Sequence, residues 1–214
     1  WTTATNDFSI KEKFAPFVGK TDREILTTLN SNLGKKSKSY KRLVVNRILD
    51  VNSSNIDELE KANITLKVIT LEHTGTLRES MSFPAFDYKD LVTQIWNDDD
   101  EESMADFHLQ LETKKFLFII FQKQKDSEEI ILKKIMFWNF PMKDIAEVES
   151  VWQKTVDCIN EGRYDELPKM SDSYVAHVRP HGKDSTDTME TPQGTQEMKR
   201  CFWLNAKYIQ HVIE

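Results

Sequence analysis

The chain has little of what cross-links, interrupts or anchors a fold. Its 214 residues include two cysteines, Cys158 and Cys201, with six glycines and six prolines. Two thiols make neither a disulfide framework nor a cysteine-rich zinc site. A reducing cytoplasm is the simplest compartment for such a chain. So few Gly and Pro exclude collagenous or linker-like organisation. No apolar run approaches the ~20 residues that a membrane-spanning helix needs; the longest, Phe116 to Phe121, has the length of a strand. A basic excess is missing too: 29 Lys and Arg against 35 Asp and Glu leave a net charge of -6. Bulk charge therefore supplies no general affinity for nucleic acid, and any such binding has to come from a local patch. The chain opens at Trp1 without Met, and Thr2 to Asn6 are polar where a secretory segment would be apolar. It reads as a piece of a longer protein.

What is present is ordinary globular material, 39% hydrophobic and 30% charged. A chain of this length buries roughly 70% of the surface it exposes unfolded, so no staple is required. Thr21-Asp22-Arg23-Glu24 forms a capping box, a Thr hydroxyl for the third helical N–H and a Glu reaching back. Ile25, Leu26, Leu29 and Leu33 follow on one face, and Gly34 is expected to end that helix. A second helix is predicted from Ser39 to Val51, with Leu43, Val44 and Ile48 inward. Ile56 to Ala62 reads as a short helix or turn. Ile64 to Leu71 alternates as a β-branched strand. Phe116 to Gln122 and Ile130 to Trp138 read as neighbouring strands joined by a polar hairpin loop. Lys143 to Asn160 has helical spacing at Ile145, Val148, Trp152, Val156 and Ile159, closed by Gly162. Short strands are predicted at Tyr174 to Arg179 and Cys201 to Leu204, with a polar loop from Gly182 to Gln196. Interspersed helices and strands predict one α/β domain with a central mixed sheet flanked by helices, preceded by a lead-in over residues 1–16.

Several short patterns suggest chemistry and are better explained otherwise. Gly19-Lys20-Thr21 looks like the end of a phosphate-binding loop, but Phe14 stands where its first glycine belongs, and Thr21 is already a helix cap. His177 and His181 have metal-pair spacing only on a helix, which Pro180 between them breaks. The run Asp98 to Glu102 is expected as a solvated loop. Lys35 to Arg47 is different: six basic residues in 13 with no acid, at a junction of two helices where backbone N–H groups also favour anions. Thr65 and Lys67 lie on one face of their strand. A metal-dependent nuclease would want an acid in place of Thr65, because paired carboxylates hold Mg²⁺, and a strand Lys to stabilise developing charge. A Thr hydroxyl is a poor substitute for a carboxylate around Mg²⁺.

In order, these pieces resemble the MutH-type endonucleases that act at GATC, and within them the degenerate C-terminal half of type IIE restriction enzymes. The resemblance runs from Phe17 to Tyr208. Its anchors are Lys35-Lys36-Ser37-Lys38, Leu43 to Leu49, Ile64-Thr65-Leu66-Lys67, Glu79 to Pro84, Lys114 to Phe118, Val178-Arg179-Pro180 and Arg200 to Leu204. It implies a restriction-endonuclease-like fold, with residues 17–214 as the DNA-binding domain.

The resemblance also implies what has been lost. The family's helix acid falls on Asn46, its first metal-binding Asp on Glu58 and its strand Glu on Thr65. Its strand Lys is kept as Lys67, and a second active-site Lys falls on Glu112. The expectation is therefore no catalytic residue, no metal and no cofactor in this chain, with Mg²⁺ serving the catalytic N-terminal half of the parent hydrolase. Glu72 or Glu79 are the acids that would have to rescue a site. The reading positions fare better. The family's sequence-reading Arg-Pro falls on Arg179-Pro180, its next Lys on His181, and its aromatic near the adenine on Trp203. Lys38 matches a DNA-contacting Lys, with Lys35 and Lys36 as phosphate partners. The implied function is GATC duplex binding as the allosteric effector of a cytoplasmic restriction system, with the N-terminal catalytic half as protein partner and no membrane. The alternatives are an active Mg²⁺-dependent GATC endonuclease and an interaction domain that has lost DNA binding.

Overall fold

A computed structural model describes residues 3–35, 37, 39–50, 59, 62–97, 100 and 102–214, with residues 3–8 as backbone only. In chain order the helices are α1 (Thr3–Phe14), α2 (Asp22–Thr28), α3 (Tyr40–Leu49), α4 (Tyr88–Leu91), α5 (Asp106–Thr113), α6 (Ile145–Asn160) and α7 (Ala206–Ile213). The strands are β1 (Ile64–Leu71), β2 (Met81–Ala85), β3 (Lys115–Lys123), β4 (Ile130–Asn139), β5 (Ala176–Pro180), β6 (Thr188–Glu190), β7 (Gln196–Met198) and β8 (Arg200–Leu204). They form two compact units: Trp1–Leu77 with Lys114–Asn139, and Arg78–Thr113 with Phe140–Glu214.

The first unit is built on a sheet of order β1-β3-β4. β1 runs parallel to β3, and β3 pairs antiparallel with β4 through the expected hairpin. Alternation sends Ile64, Leu66 and Val68 to one face with Leu117, Ile119 and Phe121. That face is covered by Ile10 and Phe14 of α1, Ile25 and Leu26 of α2, and Val44, Val45, Ile48 and Leu49 of α3. The other face carries Thr65 and Lys67, in register with Phe116 and Phe118. Those two rings pack against Trp138 at 5.5 and 5.3 Å. The capping box on α2 forms as its sequence predicts, with both reciprocal hydrogen bonds present.

The second unit holds an antiparallel sheet of order β2-β8-β5 and a separate β6-β7 hairpin. Helix α6 buries Val148, Val151, Trp152, Val156 and Ile159 along one stripe. It ends where Gly162, at φ +69°, takes the left-handed conformation that residues with a Cβ resist. The Gly162 N–H then reaches the Ile159 carbonyl and the Arg163 N–H that of Cys158. Glu147 in the first turn of α6 fastens the chain just before β5. Its carboxylate accepts from Ser173 Oγ at 2.6 Å, from the Tyr174 N–H at 2.7 Å and from the Val175 N–H at 3.1 Å. Burial alone would raise the Glu147 carboxyl; these hydrogen bonds outweigh it and hold the group below the usual carboxylate range.

Several expectations need correction. The strands make three sheets, β1-β3-β4 in one unit and β2-β8-β5 and β6-β7 in the other, where one central sheet was expected. Within the expected lead-in, residues 9–14 belong to α1, whose Ile10 and Phe14 are core residues of the first unit. Helix α2 ends at Thr28, with Leu29 as its cap, well before Gly34, because Asn30 adopts φ +48° and the Ser31 N–H returns to the Leu26 carbonyl. Asn tolerates that conformation by virtue of its short polar side chain. On α3, Leu43 is half-buried, and Val45 and Leu49 take the inward positions with Val44 and Ile48. The polar stretch 182–196 contains β6 and the start of β7. Most of the segment Ile56 to Ala62 lies outside the described residues.

Candidate nucleic-acid interface

The second unit brings together three of the residues singled out above. In the β5–β8 ladder His177 stands opposite Trp203 and Arg179 opposite Cys201. Opposed residues share a face and alternate residues return to it. The guanidinium carbon of Arg179 lies 3.8 Å from the centre of the Trp203 ring. The exposed ring of His181 meets Trp203 edge-on at 5.5 Å. Arg179 and Pro180 are exposed at the strand end, whereas Trp203 is half-buried. A stacked guanidinium keeps its five N–H donors in the plane and pointing outward, which is the geometry that recognises two acceptors at once. Among the described residues no carboxylate pairs with Arg179.

Two further residues of this face were not legible as partners. His177 is 2% exposed, and its Nδ1 hydrogen-bonds to Asn205 Oδ1. The Asn205 amide nitrogen donates to the carbonyls of Ser173 at 2.7 Å and Tyr174 at 3.0 Å. Asn205 occupies the N-cap position of α7, yet its side chain is spent on these groups. Ser80 Oγ instead accepts from the Ala206 N–H at 3.1 Å. Burial pushes the His177 imidazole below its ordinary value; the bond to Asn205 opposes this and the Arg179 charge reinforces it. Helix-cap statistics favour Asn at position 205, so the sequence carried a signal for the residue without its partner.

The basic segment divides. Lys36 and Lys38 lie outside the described residues. Lys35 is already engaged: its ammonium is 3.1 Å from Asp22 Oδ2 and donates to the Glu128 carbonyl at 3.3 Å. Asp22 is fully buried and also accepts from Tyr40 Oη at 2.7 Å and from the Ile130 N–H at 3.2 Å. A buried carboxylate needs such compensation. Lys41 donates to Thr70 Oγ1 at 2.7 Å and Arg42 to the Leu66 carbonyl at 3.3 Å. Part of the patch thus serves the fold of the first unit.

The residues expected at the positions of a nuclease site are placed individually. Thr65 and Lys67 share a face of β1 and are half-buried. Asn46 is half-buried on α3. Glu112 is exposed near the end of α5, in the second unit, and Glu58 lies outside the described residues. Glu72 is held by Lys123 at 2.9 Å, and Glu79 is exposed. Among the described residues no three His, Cys, Asp or Glu side chains are grouped to hold a metal ion. Thr65 and Lys67 offer one neutral oxygen and one cation, a set that does not fit Mg²⁺. His177 lies in β5 and His181 just past its end, with His177 committed to Asn205. Gly19-Lys20-Thr21 is a turn whose Gly19 N–H pairs with the Leu132 carbonyl.

No family model matches the chain. Its sequence is nevertheless similar to that of a type II restriction enzyme. That relative is Sau3AI of Staphylococcus aureus, 25% identical over 247 aligned positions, which cover 95% of this chain and 50% of the enzyme. The chain therefore spans about half the length of the curated relative it matches. Among the described residues no helix is long and apolar enough to cross a membrane.

Proposed function

We propose that this chain is a sequence-specific binder of duplex DNA containing GATC, the effector half of a type IIE restriction endonuclease, with no cleavage activity of its own. The observation that carries the reading is Arg179 stacked at 3.8 Å on Trp203 at an exposed strand end, with His181 at the ring edge. An Arg held by its face presents its edge to guanine O6 and N7, the commonest specific contact in the major groove. Lys36 and Lys38 would anchor phosphates, which position the duplex without reading it. The donor set at Thr65 and Lys67 favours binding over hydrolysis.

In this reading the fold is MutH-like, and GATC bound here stabilises the state in which an N-terminal catalytic half cuts a second copy. Such coupling requires differential affinity for two states of the whole enzyme. Mg²⁺ belongs to that other half, and the place of action is the cytoplasm. The test is a titration of GATC and scrambled duplexes at fixed salt, with and without Mg²⁺. Tighter binding of GATC in both conditions, with both strands intact, is expected. Equal retention of the two duplexes, or Mg²⁺-dependent nicking, overturns the proposal.

A further inference from the structure

Two buried ring nitrogens on the face that carries Arg179 lack hydrogen-bond partners among the described residues: Nε2 of His177 and Nε1 of Trp203. The rings face one another, with centroids 6.4 Å apart and planes 18° from parallel. A buried polar group without a partner is costly enough that each such case calls for an explanation. Here the polarity of both atoms is fixed. The carbonyls of Ser173 and Tyr174 can only accept, so the Asn205 amide nitrogen faces them and Oδ1 faces His177. His177 Nδ1 therefore carries the hydrogen, and Nε2 of the neutral ring is an acceptor. The indole N–H of Trp203 is only a donor.

We infer that His177 Nε2 and Trp203 Nε1 form an acceptor–donor pair for the major-groove edge of adenine, which makes His177 a specificity-determining residue. Adenine alone among the bases shows a ring-nitrogen acceptor, N7, beside an amino donor, N6, in that groove. Guanine shows two acceptors there, and is the natural partner of the neighbouring Arg179. His177 thus sits two residues from the guanine reader on the same face of β5, and His177 and Arg179 would take adjacent bases. Both nitrogens are covered in the free chain. The exposed His181 at the edge of the Trp203 ring moves aside, while Arg179 keeps its place on the ring as it takes its guanine. The inference rests on the GATC-binding reading and assigns it a residue.

The experiment uses the unmodified 214-residue chain and four duplexes: GATC, a scrambled site, GATC with purine in place of adenine, and GATC with 7-deazaadenine. Purine removes the amino group and 7-deazaadenine removes N7. Each substitution is expected to weaken binding about tenfold, the scale of one lost base contact. In His177→Phe, which keeps a ring beside Trp203, the purine and adenine duplexes should bind alike while the 7-deazaadenine penalty persists. Equal affinity for the three GATC duplexes, with GATC still preferred to the scrambled site, overturns the inference and leaves the binding reading intact; the two nitrogens then share an internal water. No preference for GATC overturns the binding reading, and this inference with it. The base substitutions are read on the unmodified chain, so the result stands even where His177→Phe does not fold.

Discussion

Lys35 and Asp22 form an ion pair of 3.1 Å in which the carboxylate is fully buried and the ammonium about one-third exposed. The pair turns a presumed phosphate contact into part of a core network with Tyr40 and the Ile130 amide. Removing the acid leaves two buried donors, the Tyr40 hydroxyl and the Ile130 N–H, unpaired and takes the ion partner from Lys35, whereas removing the Lys leaves a carboxylate still holding two hydrogen bonds. Asp22→Ala should therefore cost about 3 kcal/mol, and Lys35→Met only about 1 kcal/mol because solvent screens its exposed end. Urea midpoints of the two variants check the order; equal losses would show that the network is not centred on Asp22.

The same pairing separates the basic residues in a binding assay. Lys38→Ala should weaken all duplexes about equally and lower the salt slope by about one, as a lost phosphate contact does. Lys35→Ala should change the slope less, since its charge is already opposed by Asp22. Affinities measured across a series of salt concentrations give both slopes.

Phe14 has no solvent exposure and packs in the core of the first unit. Truncation to Ala should cost about 3–5 kcal/mol, the usual range for a large buried side chain. A loss of a few tenths would mean that α1 is dispensable. Chemical denaturation of the variant decides between the two outcomes.

Arg179→Lys keeps the charge and loses the plane. Lys cannot form the flat stack on Trp203 or address two acceptors together. The variant should bind scrambled DNA as before and lose about 1–3 kcal/mol of preference for GATC. Competition binding with the two duplexes measures it; an unchanged preference shows that Arg179 does not read sequence.

Two groups make stability fall on the acid side, in separate windows. His177 titrates below its ordinary value of 6.5 in the folded chain, so the unfolded chain binds the proton more readily. Its contribution is present above pH 6.5 and is lost as pH falls through that value toward the folded one. Glu147 is held below 4.5, so its contribution is present above pH 4.5 and lost on further acidification. Urea midpoints at about pH 7.5, 5.5 and 3.5 should show both declines. His177→Gln should flatten the first, and Glu147→Gln should make the second shallower without removing it, because Glu24, Asp172, Asp184 and Asp187 are held low as well.

Local structure was largely legible. The capping box at Thr21, the β-branched run Ile64–Leu71, the paired strands around residues 116–138 and the apolar stripe of α6 depend on neighbours in sequence, and they form as expected. The end of α2 was misplaced because a left-handed Asn30 stops the helix before Gly34. Arg179, His181 and Trp203 were each visible as residues, while their contact was not, because it depends on the register of β5 against β8.

By itself the sequence determined the identity and period of α2, α3, α6, β1, β3, β4, β5 and β8, the acidic balance and the Thr at position 65 where a nuclease wants an acid, since these rest on side-chain chemistry and short-range spacing. Only the tertiary structure decided that the strands divide into three sheets, that Asp22 claims Lys35, and that Asn205 orients His177 beside Trp203. Each joins residues distant in the chain, and hydrogen-bond polarity and ring stacking take effect only once long-range pairing has set atoms within a few ångströms of one another.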